Sequence, residues 1–288
     1  MTSTETPAEV QQKTKVVIQG YSGAFHEIAS RQHFGEQSIE IVPAHTFEEV
    51  VEQVISGQSD RGLMAIENTV AGSLMANYDL LYNSELKIIG EQYLRIEQNL
   101  LVLPGTRIED LEEVHSHYMA IAQCRKFFQQ YPDIRLVETV DTALSARELM
   151  EDQDPTRGAI ASTLAAELFG LEILAASIET NKKNHTRFLV LEKGRDIDVE
   201  LGNKVSLSFA VAHEPGAFYR VLAVLAAYKI NLTKIQSTPI VGEPWNYRFY
   251  VDFVAEGNVG WQHAIEAIKP LTNHLRILGV YPAGKRPN

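Results

Sequence analysis

The stretch Asn184-His185-Thr186-Arg187-Phe188-Leu189-Val190-Leu191 sets a hydroxyl, a guanidinium and an aromatic ring side by side where a polar segment becomes an apolar run. Such a run reads as a loop entering a buried strand. Lys182 and Lys183 lie just upstream, so this is a local positive spot in a chain of formal net charge −11. It suits a small anion.

Other polar groups recur at the ends of apolar runs. Gly20-Tyr21-Ser22-Gly23-Ala24-Phe25 follows the apolar run Lys15–Gln19 and precedes a helical stretch to about Phe34. Strand, glycine turn, helix is the opening of a βα unit, whose helix N-terminus offers free N–H groups to a carboxylate. A plain tight turn that needs glycine for its backbone angles is the other reading. Glu67-Asn68-Thr69 closes the strand Gly62–Ile66, at the carboxyl end where open α/β sheets place ligands, or else caps the next helix. His115-Ser116-His117 precedes a helix whose stripe is Ala120, Ile121, Cys124, Phe127 and Phe128; Gln123 flanks that stripe and suits a cleft edge. Cys124 reads as a small core residue. His115 and His117 have no evident third ligand, so no metal site is expected.

The elements that position these groups alternate strand and helix from residue 15 to 191, which predicts a parallel sheet in each of two lobes. Thr46-Phe47-Glu48-Glu49 is a capping box before the stripe Phe47, Val50, Val51, Val54, Ile55, with Gly57 at its end. Asp141-Thr142 caps another helix, and Ser162 a third. A second lobe begins near Ile96, and the chain returns to the first near residue 179. Residues 1–15 are polar without an apolar h-region and read as a disordered tail on a cytoplasmic protein. Glu192–Asn203 is charged, lacks periodicity and reads as a linker around 193–203. Beyond it, alternating Val205, Leu207, Phe209, Val211 and Tyr247, Phe249, Val251, Phe253, with striped helices at 218–225 and 261–268, spell βαββαβ, a ferredoxin-like split βαβ unit.

A chain of 288 residues with 45% hydrophobic and 22% charged residues is ordinary for a protein of two domains. Its negative charge disfavours nucleic acid and anionic membrane. One cysteine allows no intrachain disulfide, and no apolar run is long enough to span a bilayer.

Taken together, the motifs resemble the prephenate dehydratase family over about residues 16–282. Asn184–Phe188 is similar to its N-x-T-R-F motif, and Ile66-Glu67-Asn68-Thr69-Val70-Ala71-Gly72-Ser73 to its I-E-N-S-x-x-G-S segment. Ser116-His117 through Gln123-Cys124 resembles S-H-P-Q…Q-C, with Tyr118-Met119 in place of Pro-Gln. Gly20–Phe25 resembles the family's opening glycine motif. The resemblance implies an α/β fold: a two-lobed, periplasmic-binding-protein-like catalytic domain with a cleft (lobe 1 about 16–95 plus 179–192, lobe 2 about 96–178). It also implies a C-terminal ferredoxin-like ACT domain at 204–282, in the monofunctional form of the enzyme.

The reaction it implies turns prephenate into phenylpyruvate, carbon dioxide and water in phenylalanine biosynthesis. Aromatisation drives the step, so no cofactor or metal is required. Thr186, Asn68 and Gln123 are the implied catalytic residues; Ser22, Gly23, Glu67, Thr69, Ser116, Thr142, Arg187 and Phe188 the implied substrate contacts. A hydroxyl is a poor acid at neutral pH, so Thr186 suits donation of a hydrogen bond to the leaving oxygen. Strand alternation puts Thr186 and Phe188 on one face and Arg187 on the other. Arg187 therefore either reaches substrate through a local twist or braces the cleft through a carboxylate such as Glu67.

Glu214, Pro215, Gly216, Ala217, Phe218, Gln236 and Ser237 are the implied contacts for L-phenylalanine, at an interface that implies a homodimer or homotetramer. Gln236-Ser237-Thr238-Pro239 stands where the family has E-S-R-P, removing a carboxylate and a guanidinium. Two rivals remain: the same chemistry on arogenate, with Glu67 facing the extra ammonium, and a non-catalytic two-lobed sensor fused to an amino-acid-binding module.

Overall fold

The computed structural model describes residues 13–194, 202–254 and 260–287; most of the expected tail and of the expected linker lies outside them. In chain order the elements are β1 (Thr14–Gln19), α1 (Phe25–Phe34), β2 (Ile39–Ala44), α2 (Phe47–Ser56), β3 (Arg61–Asn68), β4 (Gly72–Ser73), α3 (Met75–Asn83), β5 (Leu86–Arg95), β6 (Asn99–Val102), β7 (Glu113–His117), α4 (Tyr118–Phe128) and β8 (Arg135–Thr139). There follow α5 (Thr142–Asp152), β9 (Arg157–Ala161), α6 (Thr163–Phe169), β10 (Glu172–Ala175), β11 (His185–Lys193), β12 (Lys204–Ala210), α7 (Ala217–Ala227), β13 (Asn231–Pro239), β14 (Tyr247–Val254), α8 (Trp261–Ile268) and β15 (Asn273–Tyr281).

Local chemistry sets many of these boundaries. Thr46 Oγ1 accepts from Glu49 N at 3.2 Å, and Gly57 closes α2 in the left-handed region. Asp141 Oδ1 and Ser162 Oγ accept from Leu144 N and Ala165 N, opening α5 and α6. Side-chain acceptors of this kind satisfy the free N–H groups of a first turn.

The strands form two sheets. One has five strands in the order β10-β6-β9-β7-β8. The other has ten, in the order β13-β14-β12-β15-β5-β11-β3-β1-β2, with β4 added on β3. The expected all-parallel lobes need correction. β1, β2 and β3 pair in parallel, as do β7, β8 and β9, but β11 is antiparallel to both β3 and β5, and β6 and β10 join antiparallel. The strands flanking the two lobe crossings need no crossover helix, so they are free to run against their neighbours.

The C-terminal βαββαβ unit is not separate from lobe 1. β15 joins β5 at Gly279 and Ile88. A Cβ on Gly279 would lie 2.2 Å from the Ile88 carbonyl oxygen, so only glycine lets the two backbones meet. The core continues across this seam: Tyr250, Leu278 and Tyr281 of the C-terminal unit pack with Val17, Ile66 and Leu189 of lobe 1. Each such buried apolar side chain contributes about 1.5–3 kcal/mol.

Candidate active site

Between the two sheets lies a cavity of about 430 Å³. Thr186, Phe188 and Asn68 line it from lobe 1, Gln123, His117 and Thr142 from lobe 2, and Gln98 from the crossing between them. Phe188 is 1% exposed and packs against the His26 ring, with centroids 4.9 Å apart.

Strand irregularity decides which groups face this cavity. On β11, Thr186 and Phe188 face the cleft and Arg187 faces away, as period-two alternation requires. β3 breaks that alternation. Thr186 pairs with Asn68 and Arg187 with Glu67, yet Phe188 pairs with Ala65, so Ile66 is an extra residue. This bulge turns Asn68 toward the cleft and Glu67 away from it.

Asn68 is held on every side-chain valence. Its Nδ2 donates to Thr186 Oγ1 at 2.9 Å and to Asn184 Oδ1 at 2.8 Å, and its Oδ1 accepts from Val70 N and Ala71 N. Asn184, fully buried, donates through Nδ2 to Gln123 Oε1 at 2.9 Å; Gln98 Nε2 donates to the same oxygen at 3.4 Å. An amide chain thus runs from lobe 2 to Thr186. Because Thr186 Oγ1 accepts from Asn68, its proton is left to donate elsewhere, and among the described residues it has no acceptor. The Nε2 of Gln123 is uncommitted in the same way.

Asn68 is therefore a group that orients Thr186 rather than a donor with spare hydrogens for substrate. Asn184 was legible only as one letter of a motif, and Gln98 and His26 carried no sequence signal of their own.

Of the other expected substrate contacts, Thr142 and Phe188 line the cavity and the rest do not. Ser116 is fully buried and donates to the Ile160 carbonyl at 2.7 Å, tying β7 to β9. Thr69 Oγ1 donates to Lys183 O and accepts from His185 N, stitching the β3 end to the start of β11. Glu67 pairs with Lys234 of β13 at 2.9 Å. Ser22 is exposed and outside the cavity.

Gly23 is a lobe contact and not a carboxylate cradle. Its carbonyl accepts from Ser162 Oγ at 2.6 Å, its N–H donates to Glu27, and a Cβ there would meet Ala165 Cα at 2.9 Å. With φ of +90° and that close approach, glycine is required.

Arg187 is a brace, and its partner is not Glu67. It is 5% exposed; Nε donates to Glu91 at 2.7 Å, Nη1 to Asp252 at 2.6 Å and Nη2 to the Tyr281 hydroxyl at 3.1 Å. Lys204 Nζ donates to Glu91 at 2.7 Å. Burial opposes the charges of Arg187 and Asp252, but their attraction wins, holding the guanidinium above its usual pKa and the carboxyl below. Burial and Arg187 lower Lys204.

The expected positive spot is likewise absent from the cavity, whose lining contains no lysine or arginine. The ionisable groups that line it are His26, His117, Tyr118 and Asp141. Burial lowers His26 to about 4, which keeps that imidazole neutral at pH 7; burial also lowers His117 and raises Asp141. Cys124 is core, its thiol pushed up to about 12 by burial. His115 Nε2 shares a hydrogen bond with Glu113 while His117 Nδ1 accepts from Met119 N, so the two rings serve different neighbours.

In the C-terminal unit a second cavity, of about 370 Å³, is lined by Glu214, Gly216, Ala217 and Phe218 among others. Pro215, Gln236 and Ser237 are not in it; Gln236 Oε1 accepts from Ser73 Oγ at 3.3 Å.

Fold and cleft together define a two-lobed α/β protein whose crevice presents one oriented hydroxyl to a small ligand. The family model for prephenate dehydratase matches residues 16–196. A bifunctional chorismate mutase/prephenate dehydratase of Aquifex aeolicus (strain VF5) is 36% identical over 277 residues, covering 95% of this chain and 75% of that one. The chloroplastic arogenate dehydratase/prephenate dehydratase 1 of Arabidopsis thaliana is 35% identical over 286 residues, covering 94% and 72%. The crystal structure of a prephenate dehydratase from Arthrobacter aurescens in complex with L-Phe superposes with a TM-score of 0.83 at 28% identity, over 93% of this chain and 90% of that one. The chain belongs to the prephenate dehydratase family.

Proposed function

We propose that this chain converts prephenate to phenylpyruvate, carbon dioxide and water, with Thr186 donating a hydrogen bond to the departing ring hydroxyl. The carboxylate carbon leaves as CO2, its bonding electron pair enters the ring, and the C–O bond breaks as the oxygen leaves. One proton from solvent completes the water. Preorganised donors aimed at developing charge stabilise such a step. The observation that carries the reading is the Asn68 hydrogen bond to Thr186 Oγ1, which leaves the hydroxyl proton free in the cleft. Gln123 supplies a second donor from the other lobe.

Thr186→Ala tests it. Loss of one such donor lowers kcat by about 10²–10³, with the melting temperature nearly unchanged, since Thr186 packs at a cavity wall. Normal turnover by the variant would refute the assignment.

Arogenate is the second reading, favoured by a cavity lining without lysine or arginine and with Asp141 in it. Asp141, rather than Glu67, is then the counter-charge for the extra ammonium. Parallel assays with both substrates decide between them.

For the C-terminal unit we propose an ACT domain that binds L-phenylalanine near Glu214–Phe218 and regulates turnover. The L-Phe complex of the Arthrobacter aurescens relative and the second cavity support this. β13 ends the ten-stranded sheet with an open edge, and Ile235, Val241, Trp245 and Tyr247 are exposed beside it. Open edges invite pairing, which supports a homodimer or homotetramer in which a second copy completes the site. Calorimetry should show heat with L-phenylalanine and turnover should fall; no heat and no inhibition at millimolar ligand would end the effector reading.

A further inference from the structure

Lys234 has a setting that neither the dehydration chemistry nor the effector reading uses. It lies on β13 of the C-terminal unit, yet its side chain reaches into lobe 1 and is 7% exposed. Its Nζ is 2.9 Å from Glu67 Oε2 and donates to Ser73 Oγ at 2.8 Å, and it sits 5.5 Å from the centroid of the Tyr78 ring. Glu67 and Ser73 are themselves a pair of the β3–β4 hairpin, and the next pair is Asn68 with Gly72. The cation therefore grips both arms of a hairpin one residue before the side chain that orients Thr186.

The bulge at Ile66 makes this arrangement possible. It sends Glu67 backward to Lys234 while Asn68 points forward into the cleft. The hairpin tip is closed by Asn68 Oδ1, which accepts from Val70 N and Ala71 N. Rotation of the tip would carry Asn68 Nδ2 away from Thr186 Oγ1, and the threonine proton would lose its fixed direction. A buried ammonium costs desolvation that an apolar side chain of equal volume would avoid, so packing alone does not account for a lysine here.

We infer that Lys234 is a positioning residue for Thr186: by holding the β3–β4 hairpin from the C-terminal unit, it fixes Asn68 and so the direction of the Thr186 hydroxyl. Gln236, on the same face of β13, accepts from Ser73, so any displacement of β13 reaches the same hairpin. The inference rests on the reading that Thr186 carries the dehydration.

The test uses the full chain with prephenate: Lys234→Met, Glu67→Gln, the double variant K234M/E67Q and the charge reversal K234E/E67K, with Thr186→Ala alongside. Steady-state kinetics and thermal melts are recorded for each. Lys234→Met should lower kcat about tenfold with KM within twofold and the fold intact at the assay temperature. The double variant should be no worse than Lys234→Met, and the charge reversal should regain most of the loss. Wild-type kcat in Lys234→Met, losses that multiply in the double variant, or losses that follow the unfolded fraction would overturn the inference. Should Lys234→Met fail to fold, Glu67→Gln carries the same kcat test, because that side chain is 40% exposed. Activity in Thr186→Ala would instead sink the chemistry on which the inference rests, and the two failures are distinguishable.

Discussion

A neutral imidazole pressed against a cavity-lining aromatic ring gives this cleft a pH signature. His26 lies edge-on to Phe188 and near Phe47, with its Nε2 buried and without a hydrogen-bond partner. Its pKa is lowered by burial to about 4, below the ordinary 6.5. The unfolded chain therefore takes up this proton more readily than the folded one. The cost to stability is absent above about pH 6.5, grows as pH falls through that value, and is complete below about 4. Thermal melts of the native chain should decline across that window, and those of His26→Phe should decline less. Equal slopes would show that His26 does not titrate as its burial demands. At this scale the alternation of Thr186, Arg187 and Phe188 was legible because a strand has a fixed period of two. The choice between Glu67 and Asn68 was not, because a bulge leaves no mark in a single sequence. Ser116 read as a ligand because its acceptor, the Ile160 carbonyl, lies on another strand 44 residues away.

Among the elements, those with local determinants were the readable ones. The Thr46 cap, the Gly57 stop and the apolar stripe between them define α2 without help from the rest of the chain. Strand direction is non-local. β5 and β11 carry the same apolar runs that a parallel strand would, and only the path of the chain between lobes makes them antiparallel. The glycine turn at Gly20–Gly23 illustrates the same limit. Its strand–turn–helix pattern suits an anion, but the neighbour that fills the space is Ala165 of lobe 2, and nothing near Gly23 in the sequence announces it.

For the whole molecule, the consequential arrangement is the exchange of partners around Arg187. Lobe 1 contributes Arg187 and Glu91, which pair with each other, and the C-terminal unit Lys204 and Asp252; two further contacts cross between the units, Arg187 to Asp252 and Lys204 to Glu91. Removing one member strands the others, a loss of about 3–5 kcal/mol for a buried pair. Arg187→Met should therefore lower the melting temperature by about 10 °C, at about 2–4 °C per kcal/mol for a chain of this size. A shift below about 2 °C would mean that the four charges do not act as a unit. The same variant should weaken turnover through stability rather than through substrate affinity, since the guanidinium never reaches the cavity.

The continuous ten-stranded sheet also assigns mobility. Among the described residues, 99–175, which hold the second sheet, join the remainder through the backbone crossings at 96–98 and 176–184 and through contacts such as Ser162 with Gly23 and Gln123 with Asn184. The other described strands all belong to the ten-stranded sheet. The motion this layout leaves with the fewest contacts to break is a swing of that lobe about its two crossings, and opening the cleft in that way must part Ser162 Oγ from the Gly23 carbonyl.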